Sequence, residues 1–210
     1  MKSNLITPKN SLLRKYIQYF FFVESDSADY ETSLACYPNT NHCLGIHKGS
    51  QLEKESDFNF QILPHDNYHS YLSGIYQKPM SVNYAGIFKG LWINFEPMGL
   101  EMLSGEKVSE NLFLQNVIET VFPKNWTEIY DLAFCSKEID VCASRIESFL
   151  LKNLPSKNKF EHIPFNKIHT HQVDELKDVF YKSYSSINRL YKNTLNISPK
   201  EFLNILNDYF

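Results

Sequence analysis

The sequence predicts an α+β fold built from a β-rich amino-terminal part, a helical connector and a carboxyl-terminal group of short helices. Short apolar segments separated by turn residues fill the first part, as in a sheet with tight connections. After residue 99 the apolar side chains recur at helical spacing instead. Capping residues then divide the last part into separate helices. We therefore place the three parts at residues 1–105, 106–160 and 167–210.

The composition is that of a globular chain with a substantial core. Hydrophobic residues make up 43% of the 210 residues and aromatic residues 15%, which favours large buried side chains. The formal net charge of −3 excludes a chain that is basic throughout, so any contact with DNA must come from a local patch. No apolar run reaches the length of a membrane span, about 18 residues, and the first residues lack the apolar core of a signal peptide. We expect a cytoplasmic protein that does not contact a membrane.

Short strands are predicted throughout the amino-terminal part. Residues 58–63 partly alternate apolar and polar side chains, as a half-buried strand does. Residues 48–50 interrupt one apolar run, and Pro64 and Asn67 favour a loop over residues 65–69. Strands at this spacing with turns between them predict a sandwich or a barrel. The predicted strands are 16–23, 33–37, 43–47, 58–63, 71–75, 81–84 and 90–95.

The connector is predicted to be helical at 100–103, 117–122, 126–134 and 139–154. The last of these helices ends before Pro155 and carries apolar residues at helical spacing on one face. We expect the connector helices, roughly residues 106–154, to couple the first part of the chain to the last and to form the dimer surface through this apolar stripe. Its members are Val141, Cys142, Ile146, Phe149 and Leu150.

The carboxyl-terminal helices are marked by their caps. A first helix is predicted at 172–182 and a second at 184–195, with Ser183 as its N-cap. Asn196 suits the C-cap because asparagine tolerates a left-handed backbone. The Ser-Pro-x-Glu pattern that begins at residue 198 predicts a capping box for a third helix. Two helices around a tight turn, followed by a third, have the geometry of a helix-turn-helix unit.

Residues 183–202 resemble the first helix-turn-helix of the AraC family of bacterial transcription regulators. That family has a cap serine, then an apolar residue, an arginine, an aromatic residue, a Ser-Pro turn and a further aromatic residue. The positions that match in type and spacing are Ser183, Ile187, Arg189, Tyr191, Ser198, Pro199 and Phe202. Three positions depart from the pattern: Lys177, where a small residue is usual, and Tyr181 and Asn196, where glycine is usual.

The amino-terminal part resembles the small cupin-like sensing domain of AraC-type regulators. The shared features are an aromatic pattern over 13–20, Pro38-Asn39 before an apolar strand, and Phe-x-Pro-x-Gly at 95–99. Their order, followed by a helical connector and a helix-turn-helix, is that of the family. The two resemblances together cover most of the chain.

The resemblance implies a transcription regulator rather than an enzyme, with DNA, a small-molecule effector and a second copy of the chain as partners. It implies no catalytic residue and no cofactor. The base-facing residues would be Ser185, Asn188 and Arg189. Arginine pairs with guanine and asparagine with adenine, each pair contributing about 1–3 kcal/mol of discrimination. The phosphate contacts would come from Ser183, Tyr184 and Lys192.

Charge and length both predict weak DNA binding. Residues 167–210 hold six basic and five acidic side chains, a poor balance for phosphate binding. The AraC DNA-binding domain has two helix-turn-helix units, and this sequence ends at Phe210, where the helix joining them would begin. Either the chain is truncated or the protein lacks the second unit. We expect the chain alone to bind DNA weakly or not measurably; a nanomolar, sequence-specific mobility shift at physiological salt would refute this.

Aromatic residues supply the candidate effector pocket, although each of them is equally suited to an ordinary core. The candidates are Tyr37, Phe60, Tyr84, Trp92 and Phe95.

The histidines of the β-rich part lack the spacing of a His-x-His metal site, so we expect no bound metal. We expect the four cysteines to be reduced, with Cys135 and Cys142 on one helix face.

Other functions stay open at this point. The chain can be a cupin-like small-molecule-binding protein, or an enzyme, with a helical tail that does not bind DNA. It can also be a partner that forms dead-end heterodimers, or keep the helix-turn-helix fold without its DNA contacts. A cluster of histidines and carboxylates inside the β-rich part would favour the first of these.

Overall fold

A computed structural model describes residues 1–106, 108, 113–155 and 172–209. Within them the chain has the predicted mixed α+β character, and eight strands form one curled, half-barrel sheet. The strands are β1 (Lys2–Ile6), β2 (Ile17–Ser25), β3 (Glu31–Cys36), β4 (Cys43–Ser56), β5 (Asn59–Ser73), β6 (Met80–Ala85), β7 (Phe88–Phe95) and β8 (Phe113–Gln115). Their order across the sheet is β1-β2-β7-β4-β5-β6-β3, and β8 pairs with β5.

Strands β4 and β5 form one long antiparallel hairpin instead of the three shorter strands predicted at 43–47, 58–63 and 71–75. The pairing shifts register between Lys48 and Ser50 but continues on both sides of the shift. Gly49 has a φ of +76° there, a conformation that glycine adopts without steric cost. The turn residues therefore mark an irregularity within the hairpin. The predicted break at 48–50 and the predicted loop over 65–69 are wrong, because both segments lie inside strands.

The two faces of the sheet carry separate apolar clusters. On β7, Leu91 and Ile93 belong to the cluster that the connector helices cover. Phe88 and Trp92 alternate with them and belong to a cluster on the opposite face. We call this second set the aromatic cluster, and its rings are Phe60, Tyr71, Tyr76, Tyr84, Phe88 and Trp92.

The connector contains α1 (Gly99–Ser104), α2 (Val117–Thr120), α3 (Glu128–Ala133) and α4 (Ile139–Lys152), with a short 3-10 helix at Lys124–Thr127. Their positions agree with the predicted helices, although α1 is slightly longer, α2 and α4 end earlier, and the helix predicted at 126–134 is divided between the 3-10 helix and α3. The apolar stripe of α4 is packed against the sheet of its own chain, where Ile146 and Leu150 are fully buried. The stripe is therefore not available as a dimer surface, and dimerisation stays a prediction of the family resemblance alone.

The carboxyl-terminal helices α5 (Leu176–Phe180), α6 (Tyr184–Leu195) and α7 (Pro199–Tyr209) share one apolar cluster. This arrangement confirms the predicted second and third helices, whereas the first begins later than predicted. Ile75, Met98 and Met102 of the amino-terminal half also belong to this cluster, so the helices pack against that half. Within the part of the chain that the structure describes, no helix has the length and apolar content needed to cross a membrane.

Candidate nucleic-acid interface

Helix α6 presents the predicted base-facing residues on a single side. Ser185, Asn188, Arg189 and Lys192 are three or four positions apart, which places them on one helix face. Ser185, Arg189 and Lys192 are exposed, and Asn188 is half-buried. The opposite side is buried in the helical cluster and carries Ile187, Tyr191 and Leu195. Ser185 and Arg189 are therefore the members of this face that solvent reaches most freely, whereas Asn188 is partly covered.

The amino terminus of α6 is capped as predicted. The Oγ of Ser183 accepts a hydrogen bond from the N–H of Ser186 at 3.4 Å. Ser183 and Tyr184 are both exposed. The remaining N–H groups of a helix start, together with the helix dipole, favour an anion such as phosphate. The two residues predicted to contact phosphate at this end thus lie where the backbone favours the same contact.

A capping box at the start of α7 confirms the second predicted cap. The N–H of Ser198 donates to Oε2 of Glu201 at 2.6 Å, and the N–H of Glu201 donates to Oγ of Ser198 at 3.2 Å. Hydrogen bonds from the N–H and the hydroxyl of Ser198 to the carboxylate lower the pKa of Glu201 to about 2, with a smaller contribution from Lys192. The Nζ of Lys192 lies 3.4 Å from the same carboxylate oxygen. A phosphate approaching Lys192 must therefore compete with Glu201.

The three departures from the AraC pattern differ in their consequences. Tyr181 and Asn196 have φ values of 51° and 58°, the left-handed conformation that favours the glycine usual at these positions. Asparagine tolerates this conformation, whereas tyrosine is disfavoured in it. Lys177 is exposed and its Nζ lies 3.0 Å from Oδ1 of Asp174. Because Lys177 points to solvent, it does not hold the helices apart.

The predicted effector residues are divided between three locations. Phe60, Tyr84 and Trp92 lie together in the aromatic cluster, where the ring centres of Tyr84 and Trp92 are 6.2 Å apart. Phe95 belongs to the cluster under the connector, because an odd spacing from Trp92 places it on the other face of β7. Tyr37 follows β3 and is 63% exposed. The structure thus brings three of these five residues together.

His47 lies inside the aromatic cluster and is the main residue that sequence reasoning missed. It is fully buried, and its ring centre is 5.4 Å from that of Tyr71 and 5.0 Å from that of Trp92. Its Nδ1 is 3.2 Å from Oγ of Ser50, and its buried Nε2 has no hydrogen-bond partner among the described residues. Burial lowers the pKa of His47 to about 3, with His69 contributing. His47 is therefore a neutral imidazole at physiological pH.

Two glycines make room for the rings beside His47. The ring of Tyr71 lies against Gly45, and the ring of Trp92 lies against Gly90, so that a side chain at either glycine would collide with a ring. The Nε1–H of Trp92 donates to the hydroxyl oxygen of Tyr71. Gly45 precedes His47 by two residues in β4, and this i, i+2 spacing is the sequence signal that both face the same cluster.

Comparison with known proteins assigns the amino-terminal half to a family. Residues 5–116 match a protein-family model described as a domain of unknown function, DUF6597. The chain belongs to the DUF6597 family. No curated protein matches it. A crystal structure of ToxT from Vibrio cholerae O395 bound to (E)-4-(8-methylnaphthalen-1-yl)but-3-enoic acid is similar with a TM-score of 0.22 and 10% identity, covering 98% of both chains. A TM-score this low carries no conclusion about the present chain.

The DUF6597 region extends from within β1 to the residue before α2. It therefore includes nearly the whole sheet, α1, the aromatic cluster and His47. Helices α2 to α4 and α5 to α7 lie beyond the matched residues. The family assignment thus concerns the β-rich half and is independent of the candidate interface on α6.

A groove of about 610 Å³ lies where the DUF6597 region meets the connector. Strands β1, β2 and β7 form one wall, and the turn between α3 and α4 forms the other. A second groove of about 540 Å³ adjoins it and shares Lys89 and Phe134 with it. The predicted effector residues line neither groove.

Proposed function

We propose that this DUF6597 protein is a bacterial transcription regulator in which the exposed face of α6 reads DNA sequence. The observation that carries the proposal is that α6 is capped by Ser183, buried along one side and open to solvent along the other, where Arg189 is exposed and Asn188 half-buried. A helix of this kind fits the major groove, where arginine pairs bidentately with guanine and asparagine with adenine. In this proposal α5, α6 and α7 are an AraC-type helix-turn-helix unit.

The proposal assigns sensing, and no catalysis, to the β-rich half. The half-barrel would be a cupin-like domain that binds a small molecule, and the protein would act as a homodimer, as the family resemblance implies. The buried imidazole of His47 and the rings of the aromatic cluster favour an effector with an apolar body and few polar groups.

A direct contact supports coupling between the two halves. Ile75 packs in the helical cluster, while the adjacent Tyr76 is buried in the aromatic cluster. A change in the packing of Tyr76 would therefore shift the backbone that positions Ile75 against the helices. This route adds to the connector, through which the sequence alone predicts coupling over residues 106–154.

Selection of binding sequences from a random pool of DNA duplexes, with the full chain, tests the proposal. The selection is done at low salt because the small net charge of the helical part makes phosphate binding weak. We expect one sequence to be enriched. Arg189→Ala should then weaken binding to that sequence by about tenfold or more, since a bidentate arginine–guanine pair contributes about 1–3 kcal/mol. Fluorescence anisotropy with the enriched and a scrambled duplex measures the ratio of affinities.

Two variants serve as controls for this experiment. Arg145→Ala removes an exposed arginine from α4 and should leave both affinities unchanged. Lys192→Ala should weaken binding to both duplexes to a similar extent, because a phosphate contact carries no sequence information. Equal effects of Arg189→Ala and Arg145→Ala on the affinity for the enriched duplex, or enrichment that persists unchanged with Arg189→Ala, would exclude α6 as the reading helix.

A further inference from the structure

Two free thiols lie side by side at the turn between α3 and α4. The Sγ atoms of Cys135 and Cys142 are 3.6 Å apart. Cys135 is exposed, whereas Cys142 is 2% exposed and lines the 610 Å³ groove. The expectation that both share a helix face is wrong, because α4 begins only at Ile139 and Cys135 precedes it in the turn.

We propose that Cys135 and Cys142 are a redox-active dithiol that closes to an intramolecular disulfide on reaction with a hydroperoxide. A disulfide has an S–S distance of about 2.05 Å, so the two sulfur atoms must approach by about 1.5 Å. Six residues lie between them, and the first three, 136–138, are exposed, so this part of the turn can move without losing core contacts. Ile139, by contrast, packs against the cluster under the connector. This assignment is independent of DNA binding and of the effector site.

The two thiols have different parts in the reaction. The exposed Cys135, as its thiolate, attacks the terminal oxygen of the hydroperoxide; the O–O bond breaks, an alcohol leaves and Cys135 becomes a sulfenic acid. The sulfur of Cys142 then attacks the sulfenic sulfur. The S–S bond forms, the S–O bond breaks, and the departing hydroxyl takes the thiol proton of Cys142 to leave as water. Two thiols and one hydroperoxide thus give one disulfide, one alcohol and one water.

The environments of the four cysteines direct the oxidant to Cys135. Burial raises the pKa of Cys43 to about 12 and also raises the pKa of Cys36, so both remain protonated thiols. Burial also raises the pKa of Cys142, so Cys142 is not the thiol that reacts first with the oxidant. Its sulfur is placed to react second because it lies beside Cys135. Cys135 is the exposed member of the four. Cys36 and Cys43 are therefore internal controls for reactivity.

Closure of the disulfide would reshape the groove. Ala133, Phe134 and Ser136 lie beside the two cysteines and line its wall together with Cys142. The ring of Phe134 also stacks on Tyr68 of β5, with ring centres 6.2 Å apart. Drawing Cys135 toward Cys142 moves this turn relative to the sheet, so the oxidation state of the pair controls the shape of the groove.

Treatment of the full chain with hydrogen peroxide, followed by alkylation with N-ethylmaleimide in denaturant and intact-mass analysis, tests the proposal. We expect the treated monomer to lose two hydrogens and to take up two fewer maleimides than the reduced chain. Peptide mapping should join Cys135 to Cys142, and dithiothreitol should restore four alkylated thiols. The oxidised chain should also melt at a higher temperature than the reduced chain, because a cross-link constrains the unfolded state.

Variants separate this pair from the other thiols. Cys135→Ser removes an exposed thiol, should fold normally, and should abolish the disulfide. Cys36→Ser is the matched control and should leave the disulfide intact. Cys142→Ala changes a buried position, so circular dichroism is used to check that this variant folds. In the folded variant the oxidation of Cys135 should end at the sulfenic acid, which dimedone traps. Any of three outcomes would overturn the proposal. The peroxide-treated chain could still take up four maleimides, the disulfide could map to Cys36 or Cys43, or it could be found only between two chains.

Discussion

Tyr181 ends α5 in a left-handed conformation with φ of 51°, and its side chain is 93% exposed. A residue with a Cβ pays a steric penalty of about 1–2 kcal/mol in this conformation, whereas glycine does not. We expect Tyr181→Gly to increase the free energy of unfolding by about 0.5–1 kcal/mol, because the greater entropy of an unfolded glycine offsets part of the gain. Urea denaturation followed by circular dichroism measures the change.

Tyr181→Ala is the matched control for the backbone effect. Alanine also removes the aromatic ring but keeps the Cβ, so its stability should stay within about 0.5 kcal/mol of the wild type. If Tyr181→Ala had a higher free energy of unfolding than Tyr181→Gly, as alanine variants do inside helices, backbone strain at Tyr181 would be excluded.

The buried imidazole of His47 makes the stability of the protein depend on pH. Its pKa is about 3 in the folded chain and 6.5 when unperturbed. Below pH 6.5 the unfolded chain binds a proton that the folded chain does not bind until about pH 3. The stabilisation is therefore fully present above pH 6.5 and is lost as the pH falls through this window, by up to about 1.4 kcal/mol per pH unit.

We expect His47→Gln to reduce the slope of unfolding free energy against pH between 6.5 and 4, whatever its effect on stability at neutral pH. Urea denaturation over this range measures the slope. His65→Gln, at a half-buried position in β5, controls for the loss of a histidine as such. Equal slopes for wild type and His47→Gln would contradict a neutral buried imidazole.

At the scale of elements, one carboxylate joins the connector to the start of the sheet. Oε1 of Glu147 accepts the N–H of Lys9 at 2.8 Å, and Oε2 accepts the N–H of Asn10 at 2.9 Å. Glu147 is 6% exposed, and hydrogen bonds to a charged group contribute about 1.5–3 kcal/mol. We expect Glu147→Ala to lower the free energy of unfolding by about 2–3 kcal/mol, as measured by urea denaturation.

Two further variants test whether the carboxylate itself is responsible. Glu147→Gln keeps one acceptor oxygen and should lose less stability than Glu147→Ala. Glu138→Ala removes a glutamate that precedes the same helix without a side-chain cap bond, and should change stability by less than about 0.5 kcal/mol. Similar losses for Glu147→Ala and Glu138→Ala would assign the effect to charge near α4 instead of to the two hydrogen bonds.

The elements that the sequence predicts well are those whose signals are local. The caps Ser183 and Ser198 set the starts of α6 and α7, because a cap depends on residues within one turn of it. The hairpin of β4 and β5 could not be predicted, since its turn residues lie at a register shift that exists only when the strands pair. Strand β1 was missed because its residues are mostly exposed and carry no alternation. On α6, the exposed face followed from periodicity, whereas the pairing of Lys192 with Glu201 depends on how two helices meet.

At the scale of the whole molecule, the two halves meet at a contact that no local pattern indicates. Met98 precedes α1 and is 1% exposed, although it belongs to the β-rich half. Its side chain joins the cluster of α5, α6 and α7, as do Ile75 and Met102. The position of α6 relative to the sheet therefore depends on a few apolar side chains. In the proposed regulator this contact is where sensing would affect DNA binding.

Met98→Ala should weaken this docking without unfolding the sheet. Truncation of a buried methionine costs about 2–5 kcal/mol, and here the loss falls on the contact that holds the helices. We expect faster amide hydrogen exchange in α5, α6 and α7 and unchanged exchange in β4 and β7, since the sheet keeps its own clusters. Ile75→Ala should accelerate exchange in the same helices, whereas Ile87→Ala, at a residue 57% exposed, should not. If α5, α6 and α7 of Met98→Ala exchanged amide hydrogens at the wild-type rate, these helices would be stable without this contact to the sheet. Coupling between the sensing half and α6 would then have to run through the connector.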